Sequence, residues 1–366
     1  MQSTQAPSIT SISRPVVPPR GSAYAELSRQ IKDAGLLERR PASYALRIAA
    51  AVAMCVVAVA ALVLIGNSWW QLALAPYWAV VSTQLGFLGH DAGHRQVYTS
   101  RRTNHALGVV LANFGVGFSY CWWVDKHNRH HAHPNHEDKD PDIGAGALVF
   151  TTGQARASGR VALLFHRYQA WGFFPLLLLE ALNLRVASIR YLLAGRTRAH
   201  LRELLLISVH LAGYFALIFL VLPPGKAVAF IAVHQALFGL YLGCSFAPNH
   251  KGMPEITAAD EADFLRRQVL TSRNVRGHWL TDYILGGLNY QIEHHLFPSM
   301  PRANLPQAQR IVRKFCAIHQ VSYLETSLIA SYAQALRHLD TIGKSPAPPP
   351  PSDTWPMTPT KRMVPR

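Results

Sequence analysis

Three clusters of histidine carry the chemistry available to this chain. His90 and His94 stand four residues apart in His-Asp-Ala-Gly-His, His127, His130 and His131 form His-Asn-Arg-His-His, and Gln291, His294 and His295 belong to Gln-Ile-Glu-His-His. On an α-helix, positions i, i+3 and i+4 share one face, so each cluster can turn its side chains toward one metal. The third cluster repeats the spacing of the second with Gln in the first place, and no packing or solubility need favours that repetition. One further histidine, His250, follows Asn249. Eight imidazoles and one amide make nine donors, more than one metal takes and enough for two with four or five protein ligands each. Neutral imidazole suits iron, copper or zinc. The four cysteines (Cys55, Cys121, Cys244, Cys316) have no CxxC spacing, which argues against structural zinc and against a disulfide framework. Two irons with a position left open for dioxygen are the choice that can break an unactivated C–H bond.

The elements that position these residues read as membrane helices. Hydrophobic residues make up 49% of the 366 and charged residues only 15%, with long stretches almost free of charge. The net charge of +16 sits beside these stretches, where Lys and Arg face anionic headgroups; no nucleic-acid partner is expected. Spans are expected at 46–66, 69–89, 204–222 and 227–245, each able to cross a hydrocarbon core of about 30 Å. They pair into two hairpins, one turned by Asn67 and Ser68, the other by Pro223, Pro224, Gly225 and Lys226. The two tips hold one basic residue, Lys226, whereas residues 90–202 hold 14 Lys and Arg. The positive-inside rule therefore puts the tips outside and both termini in the cytosol. His90, His94 and His250 then leave their spans at the cytosolic end, on the same side as the other clusters. The apolar segments 106–123 and 161–193 read as interfacial or re-entrant, because an odd crossing would separate the clusters.

The fold class is thus all-α and integral to the membrane, four spans with a cytosolic helical cap holding the metal site. Residues 1–22 read as a disordered tail, 23–343 as the membrane domain and 344–366 as a disordered Pro-rich tail. No signal peptide is expected, since the first apolar run starts too late. Residues 24–40 read as an amphipathic helix lying on the membrane surface. Asp91, Glu293, Asp140, His133, His136 and His278 are candidates to orient the ligand rings. His210 and His234 lie inside spans and read as interhelical hydrogen-bonders, not ligands.

The boxes HDAGH, HNRHH and QIEHH, in this order around two hairpins, resemble those of membrane fatty acid desaturases. Gly286-Gly287-Leu288-Asn289-Tyr290 leading into QIEHH, and then Leu296-Phe297-Pro298, are similar to the acyl-lipid and front-end branch. The resemblance implies metal ligation by His90, His94, His127, His130, His131, His294 and His295, with Gln291 at the variant position and His250 as an additional ligand. It implies an enzyme that uses O2 and two electrons to place a cis double bond in a long acyl chain carried by a lipid, coenzyme A or carrier protein. Front-end members often carry a fused cytochrome b5 domain with an HPGG motif; this sequence lacks that motif, so a separate donor of ferredoxin or cytochrome b5 type is expected. A hydroxylase or ketolase of the same superfamily shares the ligands. A metal transporter would need a polar path through the spans, and Gln71, Gln84, His234 and Gln235 offer little of one.

Overall fold

A computed structural model describes residues 22–195, 197–256 and 263–345. The expected tails, 1–22 and 344–366, fall almost entirely outside them. Sixteen α-helices occur among the described residues. After α1 (Ala23–Asp33) come two long helices, α2 (Pro41–Ile65) and α3 (Gln71–Gly93). A second long pair, α10 (Arg198–Val221) and α11 (Pro224–His250), forms the other hairpin. All four are long and apolar enough to cross a membrane. Helices α2, α10 and α11 begin before the expected spans and α3 begins at Gln71, inside its own; α3 and α11 run on past the expected ends because they continue into the histidine site.

Lipid-facing and central helices differ in burial. Half of the apolar window of α3 is buried inside the protein, against 11% for α10, so α3 and α11 form the centre while α2 and α10 meet the surroundings. Leu64 and Leu220 are each 85% exposed, a placement that hydrocarbon makes favourable. At the first tip, Gln71 Nε2 donates to the Leu62 and Gly66 carbonyls (2.7 and 2.9 Å) and closes the turn. Lys226 Nζ reaches Asn67 Oδ1 at 2.8 Å, joining the two tips. Trp69 and Trp70 are exposed beside them, where an aromatic belt is expected.

Between the hairpins, α4 (Arg101–Val109) continues as a π-helix, Val110–Val116, which breaks at Gly117 and turns by 112° into α5 (Tyr120–Ala132). Short helices α6 (Thr152–Ala157) and α7 (Arg160–His166) lead to α8 (Gln169–Leu177) and α9 (Glu180–Ala194), bent by 73°. Neither segment makes a straight crossing. Beyond α11 lie α12 (Phe264–Leu270), α13 (Trp279–Ile284), α14 (Gln291–Leu296), α15 (Leu305–Ile318) and α16 (Leu328–Gly343). A two-residue parallel ladder, Asn274–Val275 with Glu325–Thr326, ties the last third together.

One sequence expectation changes here. The apolar face of α1 does not lie on a membrane: Leu27 and Ile31 are fully buried in one cluster with Leu265, Ile292, Leu296, Val312 and Phe315. An amphipathic helix buries its apolar stripe against whatever apolar surface is nearest, and the cap supplies one.

Candidate metal centre

Each histidine cluster sits on a helix whose end is held from outside. His90 lies in the last turn of α3 and His94 caps its C-terminus. In α5, Ser119 caps the N-terminus by accepting from Trp122 N (3.1 Å), while its own hydroxyl donates to Glu203 Oε2 at 2.6 Å. The six-residue α14 follows Gly286 and Gly287, at φ 63° and 80°. A Cβ on Gly286 would lie 2.5 Å from the Phe87 ring of α3, and one on Gly287 2.5 Å from Arg302 Cγ. Glycine alone lets this turn adopt left-handed φ and press against α3. His250 is the final residue of α11. The buried Arg273 secures that end: its side chain donates to the Pro248 and Lys251 carbonyls, and its backbone N to the Asn249 carbonyl at 3.0 Å.

These ends meet. One ring nitrogen each from His90, His94, His127 and His294 lies within 4.8 Å of the others, and His130, His250 and His295 form a second such group. His131 lies between them, its ring centroid 4.6 Å from His94 and 4.2 Å from His295. Gln291 Nε2 is 2.8 Å from His250 Nε2, beside the second group, and its Oε1 accepts from Asn249 Nδ2 at 3.2 Å. All nine sequence candidates are therefore brought together.

The arrangement is unfavourable unless something sits between the rings. His90 Nε2, His94 Nε2, His131 Nδ1, His294 Nε2 and His295 Nε2 are buried without any hydrogen-bond partner, a cost of about 1–3 kcal/mol for each such group. Burial, and then the neighbouring imidazoles, hold His94, His127, His131, His294 and His295 well below the usual histidine range. They are neutral at physiological pH and keep a lone pair, the form that binds metal. Two nitrogen-bound metal ions fit these groups.

Comparison with known proteins identifies the family. The family model described as fatty acid desaturase matches residues 67–327. The chain belongs to the fatty acid desaturase family. It is 32% identical over 285 residues to an acyl-lipid (9-3)-desaturase of Physcomitrium patens, covering 75% of this chain and 54% of that protein. A Delta(6)-fatty-acid desaturase of Caenorhabditis elegans is 32% identical over 75% of this chain and 65% of its own length. Fatty acid desaturase 3 of Homo sapiens is 31% identical over 87% of this chain and 72% of its own length. The chain thus spans between about half and three quarters of these relatives. Desaturases of this family are membrane proteins that use metal, act on acyl lipids and draw on electron donors.

Around the desaturase histidines, acceptors fix the rings. His130 Nδ1 donates to both Asp140 oxygens at 3.0 Å, His250 Nδ1 to the Thr271 carbonyl at 3.0 Å and His295 Nδ1 to Gln268 Oε1 at 2.9 Å. Each bond places the proton on Nδ1 and keeps the Nε2 lone pair for the site; at His250 that lone pair faces Gln291 Nε2. Burial raises the Asp140 carboxyl, but the hydrogen bond and charge of His130 together with the charge of Lys251 hold it below the usual range. Asp91 lies 3.4 Å from His90 Nδ1 and pairs more closely with Arg302, at 2.6 Å. Glu293 faces away from the rings: it accepts from Asn274 Nδ2 (2.7 Å) and Tyr323 OH (2.8 Å), and burial pushes it up to about 7.

The remaining histidines stand apart from the two groups. His136 Nδ1 accepts from Asp138 N, and His133 is partly exposed beside it. His278 is exposed and caps α13. His234 joins α10 and α3 through Tyr214 OH (2.7 Å) and Ser82 Oγ (3.3 Å), and His210 Nδ1 donates to the Phe114 carbonyl at 2.7 Å. Gln268, Thr271 and Arg273 carry no signal in the sequence; each becomes visible only once α12 and the segment after it lie over the site.

Proposed function

We propose that this protein is a fatty acyl desaturase whose catalytic unit is residues 23–343. The single observation that carries this reading is the pair of imidazole groups with buried ring nitrogens that nothing among the described residues satisfies. His90, His94, His127 and His294 would hold one iron; His130, His250 and His295, with Gln291, the other; His131 lies within reach of both. Iron held by these residues would supply the redox chemistry for an overall reaction in which one O2, two electrons and two protons from outside and two hydrogens from adjacent methylenes give two waters and a cis double bond.

The residues of the chain do the rest. Neutral imidazoles offer lone pairs without losing protons, and Asp140, Gln268 and the Thr271 carbonyl lock the tautomers. Burial excludes bulk water, which protects reactive species from side reactions. The spans and the cap hold one methylene of the acyl chain still beside the site, the main contribution a protein makes to such a reaction. The site and the described ends face the cytosol, where a donor of ferredoxin or cytochrome b5 type reaches them, and the hairpin tips face outward.

Several relatives carry names that specify Delta(6), 8 or (9-3) positions, which supports a double bond placed between an existing unsaturation and the carboxyl end. Expression in a host with a simple fatty acid profile, fed mono- and diunsaturated acids, tests this by mass spectrometry of the lipids. A new double bond on the carboxyl side is expected. A hydroxylated product would make the enzyme a hydroxylase, and no oxidised product with full iron content would end the proposal.

A further inference from the structure

Arg185 carries a positive charge into the bundle with no acid to answer it. It lines a cavity of about 100 Å³ together with Trp78 of α3, His210 and Tyr214 of α10, and His234 and Gln235 of α11. Gln235 lies about 16 Å along α11 from Pro224, and His210 about 16 Å from the Val221 end of α10, at 1.5 Å per residue. The cavity is therefore near the middle of a core about 30 Å thick, where an ionised side chain needs a partner. The partners Arg185 has are neutral: Nη1 donates to Gln235 Oε1 at 2.8 Å, Nη2 to the Val116 carbonyl at 3.2 Å, and the guanidinium lies 5.4 Å from the centre of the Phe118 ring. Its Nε–H is buried with no acceptor, as is the Nε1–H of Trp78. No Asp or Glu lines the cavity, and no ion pair among the described residues includes Arg185.

The other polar groups are occupied with one another. Tyr214 OH donates to His234 Nδ1, and His210 Nδ1 donates to the Phe114 carbonyl. Gly117, at φ 82°, leaves room where they approach: a Cβ there would lie 2.6 Å from His210 Cδ2 and 3.5 Å from Arg185 Nε. The cavity thus holds a surplus of N–H donors and one positive charge that no carboxylate among the described residues pairs. Val59 of α2 lines it and is 39% exposed, so its wall includes a lipid-facing side chain.

We propose that this cavity is an anion site that takes one small monovalent acceptor group against Arg185 Nε–H, either a free halide or the carboxylate of a fatty acid. Such an anion neutralises the guanidinium and ties α9 to the Val110–Val116 helix and α11.

The test uses the purified full chain in neutral detergent and reads no catalytic activity, so it stands apart from the desaturase reading. Replacing gluconate by chloride at constant ionic strength should raise Tm saturably, by about 3 °C. Arg185→Lys should keep a weaker response and Arg185→Gln none. If oleate shifts Tm where chloride does not, and the protein releases one fatty acid on denaturation, the carboxylate is the occupant. Bromide-soaked crystals of the unaltered protein decide the matter even if Arg185→Gln fails to fold: an anomalous peak beside Arg185 supports a halide. An equal shift in the parent and Arg185→Gln overturns the proposal. So does the absence of any response to chloride or oleate together with no bromide peak and no released fatty acid.

Discussion

Gln268 shows at residue scale what a ligand list omits. Its amide is fully buried, accepts His295 Nδ1–H and donates to the His131 carbonyl at 2.8 Å, so one side chain ties the helices of the second and third boxes. Partners of this kind are worth about 10–100-fold in metal affinity. Gln268→Leu should therefore weaken iron binding by that range, while Gln268→Glu, which still accepts from His295, should retain more of it; iron stoichiometry after dialysis against a chelator is the readout. Replacing His94, His130, His131, His294 or His295 by Ala should remove both iron and turnover, whereas His234→Ala should leave iron content at the parent level. Gln291→Ala should lose iron from the His250 side first, and parent-like iron content and turnover would remove Gln291 from the site. The donors themselves were legible because metal ligation requires particular residue types at helical spacing. Gln268 was not, since a glutamine in a short mixed helix resembles many others until the chain folds over the rings.

At the scale of elements, the turn before α14 decides where the third box lies. Gly286 and Gly287 both have left-handed φ, and at both the space for a side chain is already filled, by Phe87 and by Arg302. Gly286→Ala should cost about 1–2 kcal/mol for the backbone alone, with the clash against Phe87 adding to it. Since α14 presses on α3 through this turn, the expected result is a lower melting temperature together with loss of iron from the group that joins His90 and His94 to His294. A lower Tm with full iron content would show that the turn stabilises the fold without setting the site. Hydropathy located the four long helices but not their ends, because α3 and α11 extend as histidine-bearing helix past the apolar run. The same reasoning misplaced α1: Leu27 and Ile31 mark an apolar face clearly, yet nothing local to residues 23–33 distinguishes a lipid surface from the surface offered by α12, α14 and α15.

For the whole molecule, the placement of charge and exposed apolar surface fixes an expected orientation. Leu64 and Leu220 near the hairpin tips, and Val52 and Val56 along α2, are exposed apolar side chains that belong in hydrocarbon. Every histidine of the site lies at or beyond the opposite ends of α3 and α11. Basic residues gather on that same side, as cytoplasmic segments do. Single cysteines test this in a background lacking Cys55, Cys121, Cys244 and Cys316. Lys139 and Arg313 are exposed on the side of the site, and Gly225 is exposed at a tip. Lys139→Cys and Arg313→Cys should react with a membrane-impermeant maleimide only after the membrane is opened, and Gly225→Cys should react in intact cells. The three positions make the test sharp, because an inverted protein would reverse all of them together. Labelling of Lys139→Cys and Arg313→Cys from opposite sides would require an odd number of crossings between residues 139 and 313. One of the bent segments, 101–132 or 169–194, would then have to cross; only the second lies between those positions, so the bend between α8 and α9 would be the element to re-examine.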